Sequence, residues 1–447
     1  MEKNKEEIYL KAYIFITSAL LIVRDVVGIG LNKYIFLLIA SGFMAIGSIE
    51  SMIYMLVFSF PLFCGLPAAH IRLVAIVLYL VKKKGKLLPG QFFLSIFVII
   101  LELIASNWYP SVSMGDIIGY LSAPVMLFLF LWDHYDSYEI DYKKCLELFL
   151  VGFGVVCFVL MANAFVKAPS HFLTNFAQGL FRASVTETDK TAEGVVIKMN
   201  ANTMAYFCCV CTALSLTLAK HESMEKTNKT AIYYFATFIF AAIGALSLSR
   251  SGILVLAITI ALFVISSMTS VRGTILSIIV SILLIGGGYA FIQASPALYN
   301  SLYARFTDSS MATAGRRTEL FQAYMNVFLN NERFKWLGTG VVEYRTMTNI
   351  WNSMHNATQQ ILVCMGIPGF IVFILGLFIP FNRERKSMRI PFFYWIPLVS
   401  LLAFVQTIQF LSPTILMFPI IMCLFSLKLF LSENRVNTQG LEGNTKE

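Results

Sequence analysis

The sequence predicts an all-α, polytopic integral membrane protein, and three observations carry that prediction. First, the 447 residues are 57% hydrophobic and only 13% charged, whereas a soluble domain is about half apolar and a quarter charged. Second, apolar runs of about 15–22 residues recur along the whole length, each long enough to cross a bilayer or to form a half-helix inside one. Third, many basic residues collect in short connections: Lys82, Lys83, Lys84 and Lys86; Lys143 and Lys144; Lys220, Lys226 and Lys229; Arg383, Arg385, Lys386 and Arg389. That is the positive-inside pattern of cytoplasmic loops.

The elements follow in order from a charged N-terminus, Met1 to Lys11, that leads into an apolar run ending at Arg24-Asp25. No small-residue cleavage site follows, so the run is expected to remain as a first span. Spans are predicted at 12–28, 34–49, 51–65, 68–81, 92–106, 114–132, 146–167, 199–219, 231–248, 253–267, 274–292, 357–379, 392–408 and 413–430. The third and fourth are short and carry Pro61 and Pro67, the pattern of broken half-helices, so about twelve to fourteen crossings are expected. With a cytoplasmic N-terminus every lysine cluster falls inside, as does the C-terminus. The expected organisation is an N-terminal bundle over 1–230 with an outer loop at 168–198, a second membrane region over 231–430 with an outer loop at 293–355, and a cytoplasmic tail at 431–447.

A net charge of +9 raises the question of nucleic acid, but the cations form no basic domain or face, so no nucleic-acid partner is expected. The eight cysteines lie almost entirely in apolar runs. Cys208, Cys209 and Cys211 cluster in mid-span without a nearby His or Asp, so they read as small packing residues. No disulfide framework and no metal site are expected.

The features that carry chemistry fall on the outer side. Arg250, in Ser249-Arg250-Ser251-Gly252, sits between two apolar runs, where the positive-inside rule makes arginine least expected. It points to an anionic ligand, the alternative being an arginine that snorkels from a tight turn. The loop 293–355 is long enough to require structure of its own. It carries Arg305, Arg316, Arg317, Arg333, Lys335 and Arg345. After Gly315, the residues Leu320, Phe321, Tyr324, Val327 and Phe328 recur at helical spacing and predict an amphipathic helix on the membrane or over the bundle. Arg316 and Arg317 in its first turn oppose the helix dipole. With the free N–H groups of that turn they suit a phosphate; two solvated arginines are the alternative. Leu337-Gly338-Thr339-Gly340 gives either a backbone approach to a ligand or plain loop punctuation.

Of five histidines, His134 and His221 fall in cytoplasmic loops and His70 near an early turn. His355 ends the large outer loop as a span begins, in His355-Asn356-Ala357-Thr358-Gln359-Gln360. A neutral imidazole there suits a general base, the alternative being a structural interfacial histidine. His171, in an outer loop that also holds Arg182, Glu187, Asp189 and Glu193, is a rival.

Taken in order, Ser249-Arg250-Ser251-Gly252, Gly315-Arg316, Leu337-Gly338-Thr339-Gly340, and His355-Asn356 with Gln360, Gly366-Ile367 and Gly369 resemble the O-antigen ligase and polysaccharide polymerase family of bacterial envelope enzymes. The resemblance covers about residues 231–370. The chain departs from it in having Cys364 where many relatives have an acidic residue, and Phe321 where many have tryptophan. The resemblance implies a GT-C-like membrane glycosyltransferase in the bacterial cytoplasmic membrane, with an extracytoplasmic active site and no metal or cofactor. It implies an undecaprenyl diphosphate-linked oligosaccharide as donor, a glycan acceptor hydroxyl, and transfer with inversion. His355 would be the catalytic base, Arg250 and Arg316 the diphosphate ligands with Arg317 beside them, and Ser249, Asn356 and Gln360 supporting residues. A polysaccharide flippase and a chain-length regulator are candidate partners.

A repeat-unit polymerase is favoured over a ligase that transfers polymer to lipid A-core, because nothing in the sequence marks an outer-membrane host. A cell-wall glycan polymerase of the shape-and-division type shares the chemistry. The rival from another class is a lipid-linked oligosaccharide flippase or transporter, which would show internal repeats and midplane charges. Here the suggestive charges gather at the outer face, and Glu102 and Asp116 near span ends read as capping or packing groups. A purely structural membrane protein is the remaining alternative.

Overall fold

The computed structural model describes residues 2–106, 112–132, 140–167, 199–225, 227–268, 317–384, 389–408 and 417–443, with isolated positions between them. Every regular element among the described residues is a helix, so the chain is an all-α polytopic membrane protein. Five helices are long and apolar enough to cross a membrane, and six more are apolar but have 10–17 residues. Much of the expected outer loop 168–198, with His171, Arg182, Glu187, Asp189 and Glu193, lies outside the described residues, as do His134, Arg305 and Arg316. The expected span 274–292 is described only at scattered positions.

The N-terminal part holds α1 (Glu2–Asp25), α2 (Lys33–Ile46), α3 (Ile49–Ser59), α4 (Ala68–Lys82), α5 (Pro89–Ser106), α6 (Met114–Leu131) and α7 (Tyr142–Lys167). As the prolines foretell, α3 stops short. A 3-10 turn at Pro61–Cys64 follows it, and α4 begins just after Pro67. Proline lacks the N–H that would continue the ladder. At this end of the bundle Arg24 pairs with Asp25 at 2.5 Å and donates to the carbonyl of Gly65 at 2.7 Å. The N–H of Ile197 donates to Asp25 at 3.4 Å, tying the segment before the next helix to the same corner.

That next helix, α8 (Ala201–Met224), is the centre of the molecule. It packs on α7, on α9 (Thr230–Leu246), on α10 (Arg250–Ser267), on α15 (Ile396–Val405) and on α16 (Phe418–Gly443). Cys208, Cys209, Cys211, Thr212, Ser215 and Thr217 are all buried in it. Small side chains let neighbouring backbones approach closely, which is how membrane helices gain packing energy when lipid is as apolar as they are. A Cβ at Gly244 would stand 2.9 Å from the Cβ of Cys208, so the cysteine cluster is part of this close packing.

The two ends of α8 differ chemically. Its C-terminal end carries Glu222, which pairs with Lys143 and accepts from Thr227. Nearby, Glu147 accepts from Tyr233 and lies 3.7 Å from Lys229. Its N-terminal end meets Arg250, as described below. Lysines and arginines of interest therefore sit at opposite ends of one helix, as the alternating loops of the sequence require.

The large loop between α10 and the last three spans contributes α11 (Arg317–Leu329), α12 (Glu332–Leu337) and α13 (Tyr344–Thr348), and leads into α14 (Ala357–Glu384). α14 is broken at Gly366, whose φ is 68° and ψ 178°. Pro368 follows, so the carbonyl of Cys364 has no N–H four residues on to accept from. The loop Leu337-Gly338-Thr339-Gly340 fills the break. Gly340 donates to the carbonyl of Cys364 at 3.0 Å and Thr339 to that of Val363 at 2.9 Å. Inside a membrane such re-satisfaction is what makes a broken helix tolerable.

The fit is tight on both sides. A Cβ at Gly338 (φ +71°) would lie 2.1 Å from the Cys364 oxygen, and one at Gly366 2.8 Å from the Trp336 carbonyl group. The two glycine motifs are thus a mated pair, and the approach they permit is backbone to backbone. Gly338→Ala is expected to destabilise the protein by at least about 3 kcal/mol, since both its φ and its space exclude a side chain. Thermal unfolding in detergent, compared with Gly30→Ala at an exposed glycine with open space around it, checks this.

Candidate active site

Arg250 is the first residue of α10, and the local sequence fixes its place. Ser249 caps the helix, its Oγ accepting from the Gly252 N–H at 3.4 Å. The same hydroxyl donates to Asn202 Oδ1 at 3.0 Å, locking the cap to the first turn of α8. Gly252 lets the two helices touch, since a Cβ there would stand 2.6 Å from the Cβ of Ala205. The turn just before is strained: Leu248 holds φ at 52°, a left-handed conformation that costs a non-glycine residue about 1–3 kcal/mol. Serine, glycine and strain together deliver one arginine to the end of the bundle.

Arg317 opens α11. Of the expected apolar stripe, Tyr324 and Phe328 are buried, Leu320 and Val327 partly so, and Phe321 is exposed. The helix packs on α12 and α14, over the bundle. The Gln359 side chain in the first turn of α14 donates to the carbonyl of Phe321 at 2.7 Å. The arginine at the start of α11 is thereby held against the start of α14. Burial, and then the charge of Arg250, push the Arg317 guanidinium down from its ordinary value.

His355 lies in the strap between α13 and α14 and is partly buried. Burial, then Arg317, then Arg345 push its imidazole below the usual 6.5, because each disfavours the charged form. Asn356 is the cap of α14: its Oδ1 accepts from the Gln359 N–H at 2.9 Å, and its Nδ2 donates to Gln406 at 3.0 Å. Gln360 is buried and reciprocally bonded to the backbone of Leu411, accepting from its N–H at 2.8 Å and donating to its carbonyl at 3.2 Å. Ser249, Asn356 and Gln360 therefore hold helix ends and neighbouring backbone in place around the arginines and the histidine. Arg316 is not among the described residues.

Two further residues bear on this end of the molecule. Arg345 is exposed in α13, where its guanidinium donates to the Tyr344 hydroxyl at 3.2 Å and to Ser353, and its charge reaches His355. The sequence signals only that it is one more outer arginine. Glu102, from α5, is buried and accepts from the N–H groups of Val341 at 2.7 Å and Val342 at 3.1 Å. It holds the segment that leads into α13. Gly340 lies between this carboxylate and position 364: a Cβ on it would stand 3.2 Å from Glu102 Oε1, and its N–H donates to the Cys364 carbonyl. Glu102 thus packs and caps, as its position at a span end suggests.

Three segments far apart in sequence thus bring Arg250, Arg317, Arg345 and His355 to one end of the bundle. Like charges gathered this way repel one another, and an anion offsets the repulsion. The segments that carry these four residues also hold the Ser249-Arg250-Ser251-Gly252 and His355-Asn356 motifs of the resemblance. Residues 235–374 match the O-antigen ligase family. No curated protein and no solved structure matches the chain. The O-antigen ligase match begins in α9 and ends in the second half of α14, so it takes in Arg250, Arg317, Arg345, His355 and the mated glycines. It supports a membrane enzyme of the O-antigen ligase and polymerase type with a lipid-linked glycan as substrate.

Proposed function

We propose that the protein transfers a glycan from undecaprenyl diphosphate to an acceptor hydroxyl on the outer face of the bacterial cytoplasmic membrane, as a repeat-unit polymerase. The observation that supports this reading above all is the convergence of Arg250, Arg317 and His355 from three separate segments. A diphosphate leaving group gains negative charge as its bond to the sugar breaks, and fixed guanidinium groups stabilise that charge. Arg250 and Arg317 take this role, with Arg316 adjacent in sequence.

In the reaction the acceptor oxygen forms a bond to the anomeric carbon while the bond from that carbon to the diphosphate oxygen breaks. The electron pair leaves with undecaprenyl diphosphate, and the hydroxyl proton passes to His355. Attack opposite the leaving group inverts the anomeric centre. An imidazole held below its usual titration range is neutral at pH 7 and able to accept a proton. The lipid tail would lie along the apolar helix faces, leaving the sugars at the arginine end.

The test is the saccharide profile of the undecaprenyl diphosphate pool in a strain lacking the protein. Single repeat units accumulating on the carrier outside the membrane are expected for a polymerase. Long chains left on the carrier would replace this with a ligase. Single units trapped on the cytoplasmic side would overturn the enzyme and make the protein a flippase.

A further inference from the structure

Two tryptophans of the outer loop are left largely exposed, Trp336 at 62% and Trp351 at 74%. Their surroundings differ. The Trp336 backbone lies against the break at Gly366, and Ile367 and Ile371, just past that break on α14, are exposed too. An indole beside exposed isoleucines on a spanning helix suits the aromatic belt at the membrane surface.

Trp351 belongs to the strap that ends at His355, and that strap is held firmly. The Tyr324 hydroxyl donates to the carbonyls on either side of it, Ile350 at 3.1 Å and Asn352 at 2.6 Å. Arg345 donates to Ser353, and Met354 is fully buried. At the other end the strap leaves α13 through Asn349 in the left-handed conformation, φ 54°. The pinned strap therefore carries a largely exposed indole, and the exposed carboxamides of Asn349 and Asn352 stand two positions before it and one after it in the chain. Acyl chains offer such carboxamides no partners. A sugar ring does: its C–H face meets the electron-rich indole face, and its rim of hydroxyls meets the amides. Four residues of chain reach at most about 14 Å, so the backbones of Trp351 and His355 lie within the span of one oligosaccharide.

Resting on the transferase reading above, we infer that Trp351, with Asn349 and Asn352, forms a saccharide-binding platform that stacks a pyranose ring of the acceptor glycan set back from the reacting hydroxyl. The platform orients the incoming chain, and it recognises the sugar independently of lipid and diphosphate.

The test uses the full-length protein in nanodiscs, as wild type, Trp351→Ala and Trp351→Phe, with equal thermal unfolding midpoints confirming the fold. The emission of Trp351 is read as the difference between wild type and Trp351→Phe. The probe is the oligosaccharide released by mild acid from the native lipid-linked pool, free of lipid and diphosphate. The probe is expected to perturb that emission and to bind Trp351→Ala about five- to tenfold more weakly, with most of the affinity kept in Trp351→Phe. Brominated phosphatidylcholine should leave the emission unchanged. Quenching by bromolipid with no response to the saccharide would overturn the platform and make Trp351 a second membrane anchor. Unaltered saccharide affinity in Trp351→Ala would overturn it as well. Neither readout needs turnover, so an inactive transfer assay would count against the transferase reading and not against this site. In that assay the KM for acceptor should rise in Trp351→Ala while the KM for donor holds; a rise confined to the donor would also overturn the acceptor assignment.

Discussion

Replacing His355 with alanine is expected to lower turnover by about 10²–10⁴-fold, the usual contribution of a positioned general base. The KM values should change far less, because the imidazole meets the acceptor proton only as the bond forms. The pH profile carries a second, independent expectation. His355 acts in its neutral form, so activity should rise with pH through its titration and level off above it. Burial, Arg317 and Arg345 all lower that titration point, so the acid limb should fall below the ordinary 6.5 of a histidine. Removing a neighbouring cation makes the imidazolium easier to form. Arg345→Gln should therefore move the acid limb to higher pH, with kcat on the plateau changed less than by His355→Ala. Near-normal turnover in His355→Ala, measured on purified protein, would remove this residue as the base. An acid limb that stays fixed in Arg345→Gln would mean that the titrating group lies elsewhere.

The second large effect is expected at the arginines. Arg250→Ala and Arg317→Ala should each lower kcat by about 10²–10³-fold, as for loss of one donor to a developing oxyanion. The double variant should lose less than the product of the two losses, since both groups act on one diphosphate. Arg250→Lys should recover little, because an ammonium is a point charge without the planar fork that grips two phosphate oxygens. Full activity of Arg250→Lys would show that only long-range charge matters. Full activity of Arg317→Ala would remove Arg317 from the diphosphate site and leave the role to Arg250 and Arg316. Ser249 and Gly252 tie α10 to α8, so the Arg250 variants should still fold, and thermal unfolding of each variant checks this.

The site residues differ in how far the sequence exposes them. Arg250 stands out because a cation between two apolar runs is improbable without a reason, and that reason needs no fold. His355 stands out by position, at the point where a long polar stretch turns apolar. Arg345 carries no such mark, and its relation to His355 depends on α13 folding back along the strap. Gln360 matches the resemblance equally well as a ligand or as a brace, and only its bonds to Leu411 show the brace. The glycines of Leu337-Gly338-Thr339-Gly340 and Gly366 are visible as glycines. Their purpose is visible only when loop and broken helix are seen together.

By itself the sequence determined the membrane class, the run of apolar helices, the helix that begins at Arg317 and the segment that matches the O-antigen ligase family. These follow from hydropathy, charge and local capping, which act over one or two helical turns and are written in consecutive residues. The tertiary structure decided which groups come within electrostatic reach, Arg317 of Arg250 and Arg345 of His355, and which groups bond, Glu102 with the loop at Val341 and the Thr339 and Gly340 N–H groups with the carbonyls freed at the break in α14. Those pairings join residues far apart along the chain. They are selected by close backbone approach and by the need to satisfy buried polar groups, and neither quantity exists until the helices have packed.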